Sequence, residues 1–143
     1  MAEFTYNPIQ EVAANQAALL NTSIGCPKGY VIHRNESGLV ILRGVVNNPC
    51  GSFARYQLTA NGNIAIPTAG TVGEISVALA QDGEPIQTSR ARVTPAAVDQ
   101  YFNVTSTAIF TVPSTCCFTI TLENTSDQAI NIQNLNLTVA RIS

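Results

Sequence analysis

Charged side chains are scarce in this sequence. Of its 143 residues, 11% are Asp, Glu, Lys or Arg, whereas an average soluble domain contains about 25%. The seven basic residues are scattered and the net charge is −2, so we expect no nucleic-acid partner, because nucleic-acid-binding proteins concentrate positive charge on one face. A surface with few charges is poorly protected against association. The composition therefore predicts a single folded domain that forms an oligomer.

Histidine occurs once, at His33. A Ser-His-Asp hydrolase, a Cys-His protease or a histidine-bound catalytic metal would have to use this one residue. The spacing of Cys26, His33 and Cys50 fits no zinc-finger pattern, and the acidic residues around Gly83 are too few for a calcium loop. We therefore expect no enzyme, with no catalytic residue, no metal ligand and no cofactor, and we interpret His33 as a strand residue.

Residues 1–6 contain neither a basic region nor an apolar run, so we expect no secretory signal peptide. Two uncharged stretches, residues 56–73 and 100–122, are long enough to suggest membrane spans. Their Pro, Gly, Asn and Thr content indicates strands and turns instead, and we expect no membrane partner. Cysteine occurs four times, at positions 26, 50, 116 and 117. Without a secretory signal we expect reduced thiols, although a Cys26–Cys50 bridge stays open.

From residue 25 onward, apolar and polar residues alternate with the two-residue period of β-strands. Residues 30–33 and 39–43 flank a turn-rich tetrapeptide and predict a hairpin. Asn61-Gly62 and Asp82-Gly83 each predict a tight turn between strands. Eight or more short strands separated by turns indicate an all-β sandwich, and a single jelly roll is the leading topology.

The last strand changes its apolar phase along its length. Ile130 and Ile132 occupy even positions, whereas Leu135 and Leu137 occupy odd ones. A strand keeps one face buried only if the phase is constant. The change around Gln133 therefore predicts either a β-bulge or two separately buried faces.

The N-terminal segment allows two interpretations. Between positions 8 and 20, Ile9, Val12, Gln16 and Leu19 lie at spacings of three and four, which favours a short helix. The alternative is an extended arm that leads into a first strand over residues 17–24. We divide the chain into residues 1–15, an N-terminal arm or short helix, and residues 16–143, the jelly-roll domain.

Several long motifs of the sequence resemble those of a known group of proteins. The motifs are residues 62–68 (GNIAIPT), 70–79 (GTVGEISVAL), 82–85 (DGEP), 93–98 (VTPAAV), 101–104 (YFNV) and 132–137 (IQNLNL), together with Cys116-Cys117. Over about residues 26–143 the chain resembles the small head decoration or head fibre proteins of tailed phages that infect gut Gram-positive bacteria. These look like single-domain relatives of the jelly rolls of tumour necrosis factor and the complement globular head.

The resemblance implies a compact homotrimer on the outer surface of a phage head, made in the host bacterial cytoplasm and located on the virion. Its partners would be two further copies of itself and the major capsid protein. We expect apolar strand positions to line the trimer interface, with Tyr101, Phe102, Phe110 and Leu137 as the candidates.

We expect the N-terminal segment, residues 1–15, to anchor the protein to the capsid. Its candidate anchors are the apolar residues Phe4, Tyr6 and Ile9. The alternative function is a receptor- or glycan-binding adhesin, on a phage fibre or on a bacterial or spore surface. Outward loops that combine exposed Tyr with Asp and Asn would favour that alternative.

Overall fold

The computed structural model describes residues 2–20, 22–24, 31–33, 38–44, 53–113 and 117–142. These residues form twelve β-strands, and the described part contains no α-helix, only a 3₁₀ turn at Gln87–Ser89. Within it, no helix is long and apolar enough to cross a membrane. The strands are β1 (Ala2–Tyr6), β2 (Gln10–Val12), β3 (Thr22–Ile24), β4 (Val31–His33), β5 (Val40–Arg43), β6 (Phe53–Ala65), β7 (Ile75–Gln81), β8 (Glu84–Pro85), β9 (Ala91–Val93), β10 (Phe102–Pro113), β11 (Cys117–Asn124) and β12 (Ile130–Arg141).

The strands form two antiparallel sheets. The first sheet has the order β10-β6-β12-β1-β3, and β2 also pairs with β12. The second has the order β4-β5-β11-β7-β8, and β9 also pairs with β7. Most neighbours, such as β6 with β12 and β5 with β11, are distant in sequence, as in a jelly roll, whereas β4-β5 and β7-β8 are hairpins. The predicted all-β sandwich is therefore confirmed.

The hydrophobic core lies between the two sheets. Along β6 every even-numbered residue from Ala54 to Ile64 is buried, because alternate side chains of a strand point to opposite faces. The largest fully buried side chains come from both sheets, and they include Tyr56, Phe110, Leu42 and Leu79. Tyr56 also donates its hydroxyl to the Arg43 carbonyl at 2.6 Å, which satisfies a buried polar group.

The N-terminal segment differs from both predicted forms. β1 lies inside the first sheet, between β12 and β3, and places Phe4 opposite Leu137 and Ser23. β2 pairs with β12 through Ile130–Ile132. Residues 2–12 are therefore neither a helix nor an arm outside the jelly roll. Their alternation of polar Glu3 and Thr5 with aromatic residues is itself a strand pattern.

The structure also corrects the predicted turn at Asn61-Gly62. β6 continues through both residues, and it pairs with β10 on one side and β12 on the other. Hydrogen bonds on both edges outweigh the local turn preference of these two residues. The apolar phase already indicated this, because the buried positions Leu58 and Ile64 are both even-numbered across the dipeptide.

Three other local predictions are confirmed. β12 contains a register shift between Gln133 and Asn136, and Asn134 has a φ of 54°, so the change of apolar phase reflects a bulge. β4 and β5 form the predicted hairpin, although its turn lies outside the described residues. Asp82 and Gly83 join β7 to β8 with φ angles of 51° and 88°, as in a type I′ turn.

Candidate functional site

The outer face of the first sheet carries a broad surface without charge. Outward-pointing residues at the centre of β6, β10 and β12 are Thr, Asn, Gln or Ile, and we call this surface the uncharged face. Arg55 and Arg141 lie beyond one end of it, and Glu3 borders it on β1. Its residues are Gln57, Thr59, Asn61, Asn63, Asn103, Thr105, Thr107, Ile109, Asn136 and Thr138.

The polar groups of the uncharged face bond to one another across the strands. The Thr59 and Thr107 hydroxyls lie 3.2 Å apart, and Asn103 Nδ2 donates to Asn63 Oδ1 at 3.1 Å. Thr138 donates to the Thr59 carbonyl at 3.2 Å. Groups that are already hydrogen-bonded lose less on removal from water than unpaired groups or ions do. This surface can therefore be covered at low cost.

Three exposed apolar side chains lie at one end of the uncharged face, with Arg55 at the strand position between them. Ile109 is 51% exposed, and Phe53 and Ile142, at the ends of β6 and β12, are 43% and 45% exposed. The Ile142 amide donates to the Arg55 carbonyl at 2.9 Å, which holds Ile142 beside β6. Covering these three side chains would supply the hydrophobic contribution that the hydroxyl and amide groups lack.

The structure separates the four predicted interface residues into two pairs. Phe110 and Leu137 are 2% and 1% exposed and lie in the core. The prediction that they line a subunit interface is corrected, because side chains without exposed area cannot contact another subunit. Tyr101 is half-buried, and Phe102 is 37% exposed at the start of the edge strand β10. These two remain on the surface.

The three predicted capsid anchors also have different environments. Phe4 is fully buried in the core, so it is corrected from an anchor to a core residue. Tyr6 is half-buried and packs against the core, whereas Ile9 is 54% exposed. Leu19, which was not among the predicted anchors, is also exposed. The Gln10 side chain bonds to the Leu19 carbonyl and amide at 3.0 and 2.8 Å. Ile9 and Leu19 therefore lie on adjacent segments.

Ionisable groups are few and mostly at the surface. Within the described ranges, no group of three or more His, Cys, Asp or Glu side chains is placed to hold a metal ion. Arg92 and Glu74 form an exposed ion pair at 3.8 Å. Burial of Glu123 raises the pKa of its carboxyl, and the nearby Glu84 charge raises it further.

Two further groups from the sequence analysis lie on strands. His33 ends β4, in agreement with its interpretation as a strand residue, and Cys117 is exposed at the start of β11. Cys26, Cys50 and Cys116 lie outside the described residues. The Cys26–Cys50 bridge therefore stays a prediction.

Comparison with known proteins identifies the fold but no sequence family. No protein-family model matches the chain, and no curated protein sequence matches it significantly. Eiger TNF from S. frugiperda superposes with a TM-score of 0.66 and 8% identity, over 100% of this chain and 92% of that one. Murine APRIL superposes with a TM-score of 0.63 and 10% identity, over 99% and 98%. The globular domain of zebrafish complement 1qA superposes with a TM-score of 0.59 and 9% identity, over 96% of this chain and 94% of that one.

These similarities extend over nearly the whole chain, so the fold is a jelly roll of the kind found in tumour necrosis factor and the complement globular head. The fold implied by the sequence resemblance is confirmed. At identities of 10% or less, the similarity shows architecture alone, because one fold supports many functions.

Proposed function

We propose that this chain is a virion structural protein, a homotrimer that decorates the outer surface of a tailed-phage head. In this proposal its activity is association rather than catalysis, and its partners are two further copies and the major capsid protein. The observation that carries the proposal is the uncharged face, a surface suited to burial against protein. The head location comes from the resemblance of the sequence motifs to head decoration proteins.

The first step of the proposal is self-association through the uncharged face. Burying an unpaired charge in an interface costs roughly several kcal/mol, and the centre of this surface carries none. At its border Glu3 accepts from Asn136 Nδ2 at 2.7 Å, and Arg55 lies at its apolar end. Its apolar end, with Ile109 and Phe53, supplies the hydrophobic area. The motif resemblance implies three copies around a three-fold axis, and the strands of the first sheet would face that axis.

The second step is attachment to the capsid. Because β1 is an integral strand, attachment must use side chains that the folded jelly roll exposes. Among the predicted anchors Ile9 is the most exposed, and Leu19 lies on the adjacent segment. We therefore assign the capsid contact to the surface formed by Ile9 and Leu19.

The test uses the full chain mixed with heads of a tailed phage that encodes it, prepared without the protein. Wild type should cosediment with the heads, and Ile9→Asp should bind at least tenfold more weakly because it places a charge in the contact. Val72→Asp is the matched control, because Val72 is 52% exposed on a different loop. Failure of the wild type to bind heads would overturn the proposed function, and equal binding of both variants would overturn the assigned contact.

A further inference from the structure

A polar cleft opens at the end of the sandwich where β7 begins and β11 ends. Residues 71–74, Ser76, Arg90 and residues 125–128 line it, and its volume is about 580 Å³. We call it the loop-end cleft. Its size lies within the roughly 300–1,000 Å³ of typical small-molecule sites. It is separate from the uncharged face, since all its residues belong to the second sheet or to loops.

The floor of the loop-end cleft is held by buried hydroxyl groups. Ser76 is 1% exposed, and its Oγ lies 2.7 Å from Thr125 Oγ1. The Ser76 amide donates to Ser126 Oγ at 2.8 Å, and Ser126 is buried as well. Arg90 Nε donates to Ser76 Oγ at 3.1 Å, which fixes the guanidinium over this floor. The cleft is thus formed before any ligand arrives, which reduces the entropy lost on binding.

The groups that remain available to a ligand include both donors and acceptors. Among the described residues, Asp127 has no hydrogen-bond or ion-pair partner, and it is exposed. Glu74 forms an exposed ion pair with Arg92 at 3.8 Å. Arg90 lines the cleft and uses Nε and Nη2 on Ser76 and the Thr125 carbonyl, so other N–H groups of its guanidinium remain for a ligand. A ligand therefore meets two carboxylates and a guanidinium within one cleft.

We propose that the loop-end cleft binds a saccharide, with neutral or amino-bearing sugars preferred over acidic ones. A hydroxyl group both donates and accepts, so neighbouring sugar hydroxyls match carboxylates beside a guanidinium, whereas an ammonium group only donates. The lining carries two acidic residues, Glu74 and Asp127, against one basic residue, Arg90. Arg92 pairs with Glu74 from outside the lining, so Asp127 is the carboxylate that disfavours an acidic ligand. Among the described residues no aromatic side chain lines the cleft, so we expect weak binding, with a Kd of about 1 mM.

A second, smaller depression adjoins the loop-end cleft. It has a volume of about 290 Å³ and shares Thr71 and Gln128 with the cleft, and Glu11 lines its far side. The Gln128 side chain bonds to both the amide and the carbonyl of Thr71, at 2.9 and 2.7 Å, and forms a fixed ridge between the two spaces. Two adjoining spaces predict that a disaccharide binds more tightly than either of its sugars.

The test titrates the full chain with glucose, galactose and mannose, with glucosamine and glucuronate as charged hexoses, and with lysine as a cation that is not a sugar. Amide NMR shifts of residues 71–76 and 125–128 report occupancy. Asp127→Asn should weaken saccharide binding at least fivefold. Asp82→Asn is the matched control, because it removes the same charge at the opposite end of β7 and keeps an oxygen that accepts from the Thr119 amide.

A saccharide that shifts these amides and loses affinity in Asp127→Asn but not in Asp82→Asn supports the proposal. The proposal is overturned if no neutral or amino sugar binds at concentrations up to about 50 mM. It is equally overturned if glucuronate or lysine binds where these sugars do not, or if binding is insensitive to Asp127→Asn.

Discussion

Asn124 connects three separate parts of the jelly roll. Its side chain is fully buried, and its Nδ2 donates to the carbonyls of Val12 and Gln128 at 3.0 and 2.8 Å. Its Oδ1 accepts from the Ser126 amide at 2.9 Å. The N-terminal strand β2, the end of β11 and the loop that lines the cleft therefore depend on one amide group.

Replacing Asn124 with Ala should lower the free energy of unfolding by about 3 kcal/mol or more, because three buried backbone groups lose their partners at roughly 1–3 kcal/mol each. Asn131→Ala is the control, since Asn131 is only half-buried on β12, and it should cost about 0.5 kcal/mol. Urea denaturation measures both variants. Equal losses would contradict the connecting role of Asn124.

Glu123 should make the protein less stable as the pH rises. Burial, with a smaller contribution from Glu84, raises its pKa above the ordinary value near 4.5. The folded state therefore binds this proton more tightly than the unfolded state does. The free energy of unfolding falls as the pH rises from 4.5 to the raised pKa. Glu123→Gln removes the titrating group, so it should be more stable than wild type at neutral pH and should lose less stability across this window.

Urea midpoints measured below and above the ordinary carboxyl pKa test this prediction. The difference between wild type and Glu123→Gln should grow as the pH rises. Glu74→Gln is a suitable control, because the Glu74 side chain is half exposed. A difference between wild type and Glu123→Gln that does not change with pH would contradict the prediction.

The alternation of apolar and polar residues predicted correctly that Phe110 and Leu137 are buried. It did not predict whether the opposite sheet or another subunit buries them. Phe110 was correctly placed on the apolar face of its strand, and Leu137 on the odd-numbered apolar positions of its own. Whether an apolar face meets the opposite sheet or another subunit depends on contacts between distant segments. The sequence pattern is the same in both cases, so Phe110 and Leu137 were assigned to the wrong surface.

Among the strands, β6 shows how pairing decides between a turn and a strand. The Asn61-Gly62 dipeptide favours a turn, yet it lies in the middle of a strand that is paired on both edges. A Cβ atom added at Gly62 would meet its nearest neighbour, Leu135 Cδ1, at 3.5 Å, an ordinary contact distance. The backbone of Gly62 does not have the positive φ of a hairpin turn, unlike Gly83.

Gly62→Ala should therefore raise the free energy of unfolding by about 0.5–1 kcal/mol, because it restricts the unfolded chain without strain in the fold. Gly83→Ala is the matched comparison and should lower it by about 1 kcal/mol, because the φ of 88° at this position strains a residue with a side chain. Thermal or urea unfolding measures both. Destabilisation by Gly62→Ala would indicate a turn and contradict the continuous strand.

The N-terminal strand β1 was hard to predict for a related reason. Its partner is β12, at the other end of the chain, so no local pattern shows the pairing. The residue spacing between positions 8 and 20 matched a helix, although the segment does not form one. Residues 13–20 do not form the predicted helix, because the amides of Asn15 and Ala18 donate to carbonyls of β11.

For the whole molecule, the sequence was sufficient for the architecture and partly sufficient for the site. Strand alternation and the Asp82-Gly83 turn predicted the sandwich, and the phase change at Gln133 predicted the bulge. The scarcity of charge predicted an associating surface but not its position. The structure places uncharged residues of β6, β10 and β12 side by side, which only the pairing of distant strands could do.

The loop-end cleft was not predictable from spacing. Arg90 is adjacent to neither Ser76 nor Thr125 in sequence, and the fold alone brings these residues together. The cleft and the uncharged face lie on different sheets. The proposed association and the proposed saccharide binding therefore use separate surfaces.

Sedimentation velocity of the purified protein at micromolar concentration tests self-association through the uncharged face most directly. Wild type should sediment with three times the mass of one chain. Thr107→Glu, which places a charge at the centre of the face, should sediment as a folded monomer, whereas Thr94→Glu, on an exposed loop after β9, should remain a trimer. A monomeric wild type, or a trimer that Thr107→Glu leaves intact, would contradict the account.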